Sequence, residues 1–161
     1  MKPFIFIDKN NISEELCHII INTNETIIPL YPEESNIWFT ITNTLFDHLT
    51  HSIDCFIKKY SLHNYNIINI AQNTSFLQPN MEIYRTNDFA YHTDFFVTDK
   101  IYSIISYLWC LSHDLTIIFN TSYSVYLKKG DLLLFPACWE YQYKFDSDCI
   151  YIKGTLYNSY E

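Results

Sequence analysis

From about residue 66 onward, short β-prone segments follow one another with brief polar breaks. They read "YNIINIAQ", "SFLQPNMEIYR", "FAYHTDFFV", "YSIISYLWCL", "DLTIIFN", "YSVYLKK", "DLLLFPACW", "EYQYKF" and "CIYIKGTLY". Many strands at a spacing near ten residues predict a sandwich or barrel, because each half-apolar strand must bury a face against another sheet. Fourteen Tyr and twelve Phe, with abundant Ile and Thr, favour that pleated environment over helix. Only two glycines are present, so asparagine is expected to take some of the tight-turn positions.

The first third reads differently. "FIFID" (4–8) is a buried strand. In "SEELCHIIINTN", Ser13 suits an N-cap, Glu14 and Glu15 suit the first turn, and Leu16, Ile19 and Ile20 form an apolar stripe. "NETIIPLYPEESNIW" reads as a loop. The helical spacing of Leu45, Phe46, Leu49, Ile53, Phe56 and Ile57 then predicts a longer helix ending at Lys58 and Lys59. His48 and His51 lie off that stripe and are expected to face solvent, and His113 reads as a turn residue. The expectation is one domain over 1–161, with 1–65 as mostly helical support and 66–161 as the β body.

Composition narrows the function classes. A hydrophobic content of 48% with 17% charged residues describes a folded chain. A net charge of −8 with only ten Lys and Arg argues against nucleic acid as a partner. No apolar run approaches the ~18 residues of a membrane span, and the N-terminus lacks a signal-peptide pattern. Five cysteines without CxxC spacing read as small core hydrophobes, not as a disulfide framework or zinc site. Together these features predict a cytoplasmic protein with no membrane partner.

One motif carries chemistry. "AYHTDFF" places His92 and Asp94 two residues apart on a β-prone run, so both side chains leave on one side. An imidazole and a carboxylate so placed can occupy adjacent positions on a metal. With one further ligand they make a facial triad whose open positions suit Fe(II) oxygenase chemistry. The pair is equally compatible with two polar residues at a strand end.

The order of segments resembles the 2-oxoglutarate/Fe(II)-dependent oxygenases, specifically their small prolyl-4-hydroxylase-like branch. The likeness runs through "FIFIDKNNISEELCHIII", "MEIYRTNDFAYHTDFF", "YSIISYLWCL", "HDLTIIFN", "VYLKKGDLLLFPACW" and "CIYIKGTLY". It implies a double-stranded β-helix, or jelly roll, with N-terminal helices: a mainly β, α+β chain. It also implies that His92 and Asp94 match the first two iron ligands, and that Tyr84 and Tyr107 match aromatics near the cosubstrate.

Two family features are missing. The third ligand, a His soon after the "FP" phenylalanine, has no counterpart in "PACWEYQYKF". The family's Trp-x-His-x-His pattern laid over "WEYQYK" puts Tyr141 and Tyr143 in the His positions, with Tyr143 best placed for the ligand slot. A phenol must lose a proton near pH 10 to become a good ligand, so this substitution is not neutral. The second loss is the basic residue that anchors 2-oxoglutarate on the last core strand. Alignment puts Ile150 there. Lys153 is the nearby cation, and a simple alternation from Ile150 points it to the opposite face unless a bulge intervenes.

Two readings follow from the resemblance. One is an oxygenase with an atypical or impaired iron site, using Fe(II) and 2-oxoglutarate to hydroxylate a prolyl or other amino-acid side chain in a peptide or small molecule. The other is a catalytically inactive jelly roll, needing neither cofactor, that serves as a binding or scaffold module.

Overall fold

The computed structural model describes residues 4–29, 31–60, 81–86, 91–94, 97, 101–120, 122–144 and 149–159. The expected strand "YNIINIAQ" and the start of "SFLQPNMEIYR" lie outside these residues.

The described chain is two antiparallel sheets with helices against one of them. In chain order the elements are β1 (Phe6–Asp8), α1 (Glu14–Asn22), α2 (Trp38–Lys59), β2 (Glu82–Thr86), β3 (Tyr91–Thr93), β4 (Ile101–Cys110), β5 (Leu115–Phe119), β6 (Tyr123–Leu127), β7 (Leu132–Pro136), β8 (Glu140–Lys144) and β9 (Cys149–Ser159). One sheet has the order β1-β7-β4-β9-β2 and the other β3-β8-β5-β6. From β2 to β9 successive strands cross between the two sheets, except at the β5–β6 hairpin, which is the winding of a double-stranded β-helix.

Alternation along the strands fills two separate cores. Leu108, Leu133, Phe135 and Tyr151 of the five-stranded sheet meet Leu115, Ile117, Phe119, Tyr141 and Tyr143 of the other. The opposite face of the five-stranded sheet, with Trp109, Leu132, Leu134 and Ile152, packs on Ile20, Leu45, Leu49 and Phe56 of the helices. Each such large apolar side chain contributes about 1.5–3 kcal/mol relative to exposure. The central strands β4, β7 and β9 are thus buried on both faces.

Helix α1 starts where its sequence predicts, with the Ser13 Oγ accepting the Leu16 N–H at 3.1 Å. Helix α2 starts earlier than the apolar stripe predicts, at Trp38. Asn36 Oδ1 accepts the Trp38 N–H at 2.9 Å, and the indole is only 5% exposed. Burial of Trp38 thus draws the end of the expected loop into the helix.

A buried polar cluster ties the helices to the sheet. Trp109 Nε1 donates to Asn11 Oδ1 at 2.7 Å, and Asn11 Nδ2 donates to Asp8 Oδ2 and Ser52 Oγ. Ser52 Oγ donates in turn to Asp8 Oδ2 at 2.7 Å.

Turn chemistry follows the shortage of glycine. Asn10, Asn24 and Asn120 have φ of 54°, 57° and 49°, left-handed positions that asparagine tolerates better than other non-glycine residues. Gly130, in the "KKGD" turn, has φ of 90°, and a Cβ there would lie 2.6 Å from the Ile12 carbonyl oxygen. Asp131 accepts the backbone N–H groups of Asn10 and Lys128 and holds the same turn.

The cysteines depart in part from the buried reading. Cys17, Cys110 and Cys149 are buried, Cys55 is half-buried and Cys138 is exposed; all five are free. Among the described residues, no helix is long and apolar enough to cross a membrane.

Candidate functional site

Strand β3 lies beside β8, with His92 opposite Tyr141. Tyr141 and Tyr143 are two residues apart on β8 and both point inward, while Glu140 between the sheet and solvent is exposed. Across the interior, β9 contributes Tyr151 and β2 contributes Tyr84. Their rings stack at 5.3 Å with 13° between planes. Tyr151 lies 5.0 Å from Tyr143, and Tyr143 lies 5.4 Å from Tyr141. His92 adjoins both, at 5.7 Å from Tyr141 and 5.8 Å from Tyr143. The result is a continuous run of rings between the sheets.

Asp94 sits at the end of this run, its side chain only 8% exposed. Its Oδ1 accepts from the Tyr141 hydroxyl at 2.8 Å and from the Lys153 ammonium. Its Oδ2 accepts from Ser106 Oγ at 2.6 Å. The Lys153 Nζ also lies 4.9 Å from the centre of the Tyr141 ring, a cation–π contact. A buried carboxylate needs compensation of this kind, since removal from water without it costs several kcal/mol.

Lys153 faces inward on a regular stretch of strand. It is paired with Leu108 of β4 and Glu82 of β2, and the register from Leu108 to Cys110 is unbroken. The bulge in this pairing falls elsewhere, between Ser103 and Ile105. Ile150 instead packs on the helix-side core, so it is Tyr151 and Lys153 that share the inner face. Alternation counted from an inward Ile150 had the opposite phase.

The other expected residues divide between the two faces. Tyr107 is fully buried in the helix-side core, 5.6 Å from Trp109, on the face of β4 away from Asp94. Its neighbour Ser106 is the β4 residue that reaches the carboxylate. Tyr84 joins the inner core, and its hydroxyl donates to Glu82 Oε2 at 2.7 Å. Tyr141, not Tyr143, bonds Asp94. His113 is an exposed turn residue whose carbonyl accepts from the Cys110 thiol.

The tyrosines are held neutral. Burial pushes the Tyr141 phenol well above its usual range, and the Asp94 charge beside it adds to the shift. Burial does the same to Tyr143, followed by the neighbouring phenols. Tyr84 is raised by burial and by its bond to Glu82.

These residues do not fit an Fe(II) centre. Among the described residues, no group of three His, Cys, Asp or Glu side chains is placed to hold a metal ion. The side chain opposite His92 is a neutral phenol, and both oxygens of Asp94 are engaged by donors of the chain itself. An ammonium already neutralises the carboxylate that would have to bind the metal.

The winding of the sheets finds close counterparts among solved structures. A viral collagen prolyl hydroxylase from Paramecium bursaria Chlorella virus-1, in its 2OG complex, superposes with a TM-score of 0.61 at 12% identity over 96% of both chains. The fold is that of the prolyl hydroxylases. A Pseudomonas putida prolyl-4-hydroxylase gives a TM-score of 0.58 at 10% identity, over 98% of this chain and 94% of the other. The Trichoplax adhaerens prolyl hydroxylase, in complex with a hypoxia inducible factor oxygen degradation domain peptide, gives 0.56 at 12% identity, over 98% and 84%. No family model matches the chain, and no curated protein matches it. The prolyl hydroxylase fold is therefore kept at an identity that leaves the site to be read from its own residues.

Proposed function

We propose that this chain is a 2-oxoglutarate/Fe(II) oxygenase-fold domain with an impaired iron site, serving as a binding or scaffold module rather than as a hydroxylase. The observation that carries this reading is the engagement of Asp94 by Lys153, Tyr141 and Ser106. A carboxylate with an internal counter-ion and two hydroxyl donors has no need of a metal, and a dication there would have to displace the lysine against like-charge repulsion. The missing distal histidine points the same way.

The competing reading is a 2-oxoglutarate-dependent dioxygenase acting on a prolyl or other amino-acid side chain. What supports it is the position of Lys153 on β9, the last core strand, where the resemblance places a basic cosubstrate anchor. In that case Lys153 would leave Asp94 for the cosubstrate carboxylate.

An anaerobic titration of the protein with Fe(II) and 2-oxoglutarate separates the two. The proposed function expects no visible charge-transfer band near ~500 nm, no iron retained after gel filtration and no 2-oxoglutarate consumed in air. A band that appears in the wild type and disappears in His92→Ala would establish the oxygenase instead.

A further inference from the structure

The closed site contains a cation of its own. Lys153 reaches from β9, between β4 and β2 of the five-stranded sheet, to Asp94, and its side chain is only 16% exposed. Its ammonium contacts the carboxylate on one side and the face of the Tyr141 ring on the other. Ser106, fully buried on the neighbouring strand, holds the second carboxylate oxygen. Three elements therefore converge on one positive charge: the end of β3, the inner face of β8 and the inner face of β9.

We propose that Lys153 is the domain's resident cation, standing at Asp94 in place of a metal ion and keeping the His92–Asp94 pair metal-free. The inference rests on the proposed function and goes further, because it makes one side chain responsible for excluding the metal. A tethered ammonium is present at high effective concentration and pre-positioned by a regular strand, so a free cation competes with it poorly. Take the ammonium away and Asp94 becomes a buried carboxylate without a counter-charge, held only by the Tyr141 and Ser106 hydroxyls, two positions from His92. Such a group seeks either a proton or an external cation.

The test uses Co(II) alone, with no 2-oxoglutarate, on the full chain. Four proteins are compared: wild type, Lys153→Met, Lys153→Gln and the double variant Asp94→Asn/Lys153→Met. Lys153→Met keeps the apolar stem and removes the charge. Lys153→Gln retains a donor for Asp94 without the charge, and guards against a variant that does not fold. The readouts are the thermal midpoint, the visible absorption of bound cobalt and the cobalt retained after gel filtration.

Wild type is expected to show no cobalt response. Both single variants are expected to melt lower and to recover with Co(II), at half-saturation at least about tenfold below any wild-type response. The double variant, with both charges removed, is expected to fold and to ignore cobalt. Equal cobalt responses in wild type and the single variants would overturn the role of Lys153, as would folded single variants that do not respond. Consumption of 2-oxoglutarate by wild type is measured separately and bears on the proposed function alone.

Discussion

His92 on β3 lies directly opposite Tyr141 on β8, with the two rings 5.7 Å apart, and it is the Tyr141 hydroxyl that bonds Asp94. Tyr141 thus touches the histidine with its ring and donates to the aspartate with its hydroxyl. Tyr141→Phe removes that donor, together with the hydroxyl's interaction with Tyr143. The expected loss is about 2 kcal/mol, typical of a hydrogen bond to a charged acceptor. Ser106→Ala should cost a similar amount. Because both donors serve one carboxylate, the double variant should deviate from additivity in urea denaturation. Strict additivity would mean that Asp94 is not their common partner.

The buried phenols predict how stability responds to alkali. Tyr84 and Tyr143 both have pKa values raised above the ordinary 10.0, chiefly by burial. The folded state therefore keeps protons that the unfolded state gives up. Their contribution is fully present below about pH 10 and is lost as pH rises above it. Phenolate absorbance at high pH should show a subset of tyrosines that ionise only as the chain unfolds. If every tyrosine titrates near 10 while the fold persists, then Tyr143 is not buried and Tyr84 is not half-buried as described.

Gly130 predicts a local backbone failure. Alanine would bring a Cβ to 2.6 Å from the Ile12 carbonyl oxygen, and φ is 90°. Both effects oppose the substitution, so Gly130→Ala should destabilise by roughly 1–3 kcal/mol or more. Gly130 also donates to the Cys110 carbonyl at 2.7 Å and accepts from Ile12, so the damage should reach the end of β4. A thermal melt compared with an Asn120→Ala control would show whether the Gly130 site is the more sensitive.

Thiol labelling tests the burial of the cysteines. Cys138 is exposed and should react first with a maleimide at neutral pH. Burial raises the Cys17 thiol from 9.0 to about 11, so it should react only on unfolding. Native-state labelling of Cys17 at the rate of Cys138 would contradict the packing of α1.

The sequence made the strand succession, the helices and the His92–Asp94 pair readable, because each depends on local spacing. The phase of β4 and β9 was not readable. Both strands are buried on both faces and mostly apolar, so alternation has no solvent side from which to count. That is why the resemblance at Tyr107 does not reveal that its neighbour Ser106 is the residue facing Asp94. It is also why alternation counted from Ile150 needs a bulge to turn Lys153 inward, whereas the regular strand does so with Ile150 on the helix side. A lysine in a strand buried on both sides was itself a signal, since such a residue must find a counter-charge. The start of α2 at Trp38 was hidden for a different reason, since a helix end fixed by tertiary burial leaves little periodicity behind.

The cluster of Asp8, Asn11, Ser52 and Trp109 has a consequence for how the molecule comes apart. Its bonds join a strand edge, a loop, the middle of α2 and the centre of the five-stranded sheet. Lifting α2 away would strand buried polar atoms on both sides at once, which opposes its peeling off independently of the sheet. Amide hydrogen exchange in the middle of α2 and in β4 should then proceed through one shared opening, making the helical layer part of the same cooperative unit as the jelly roll.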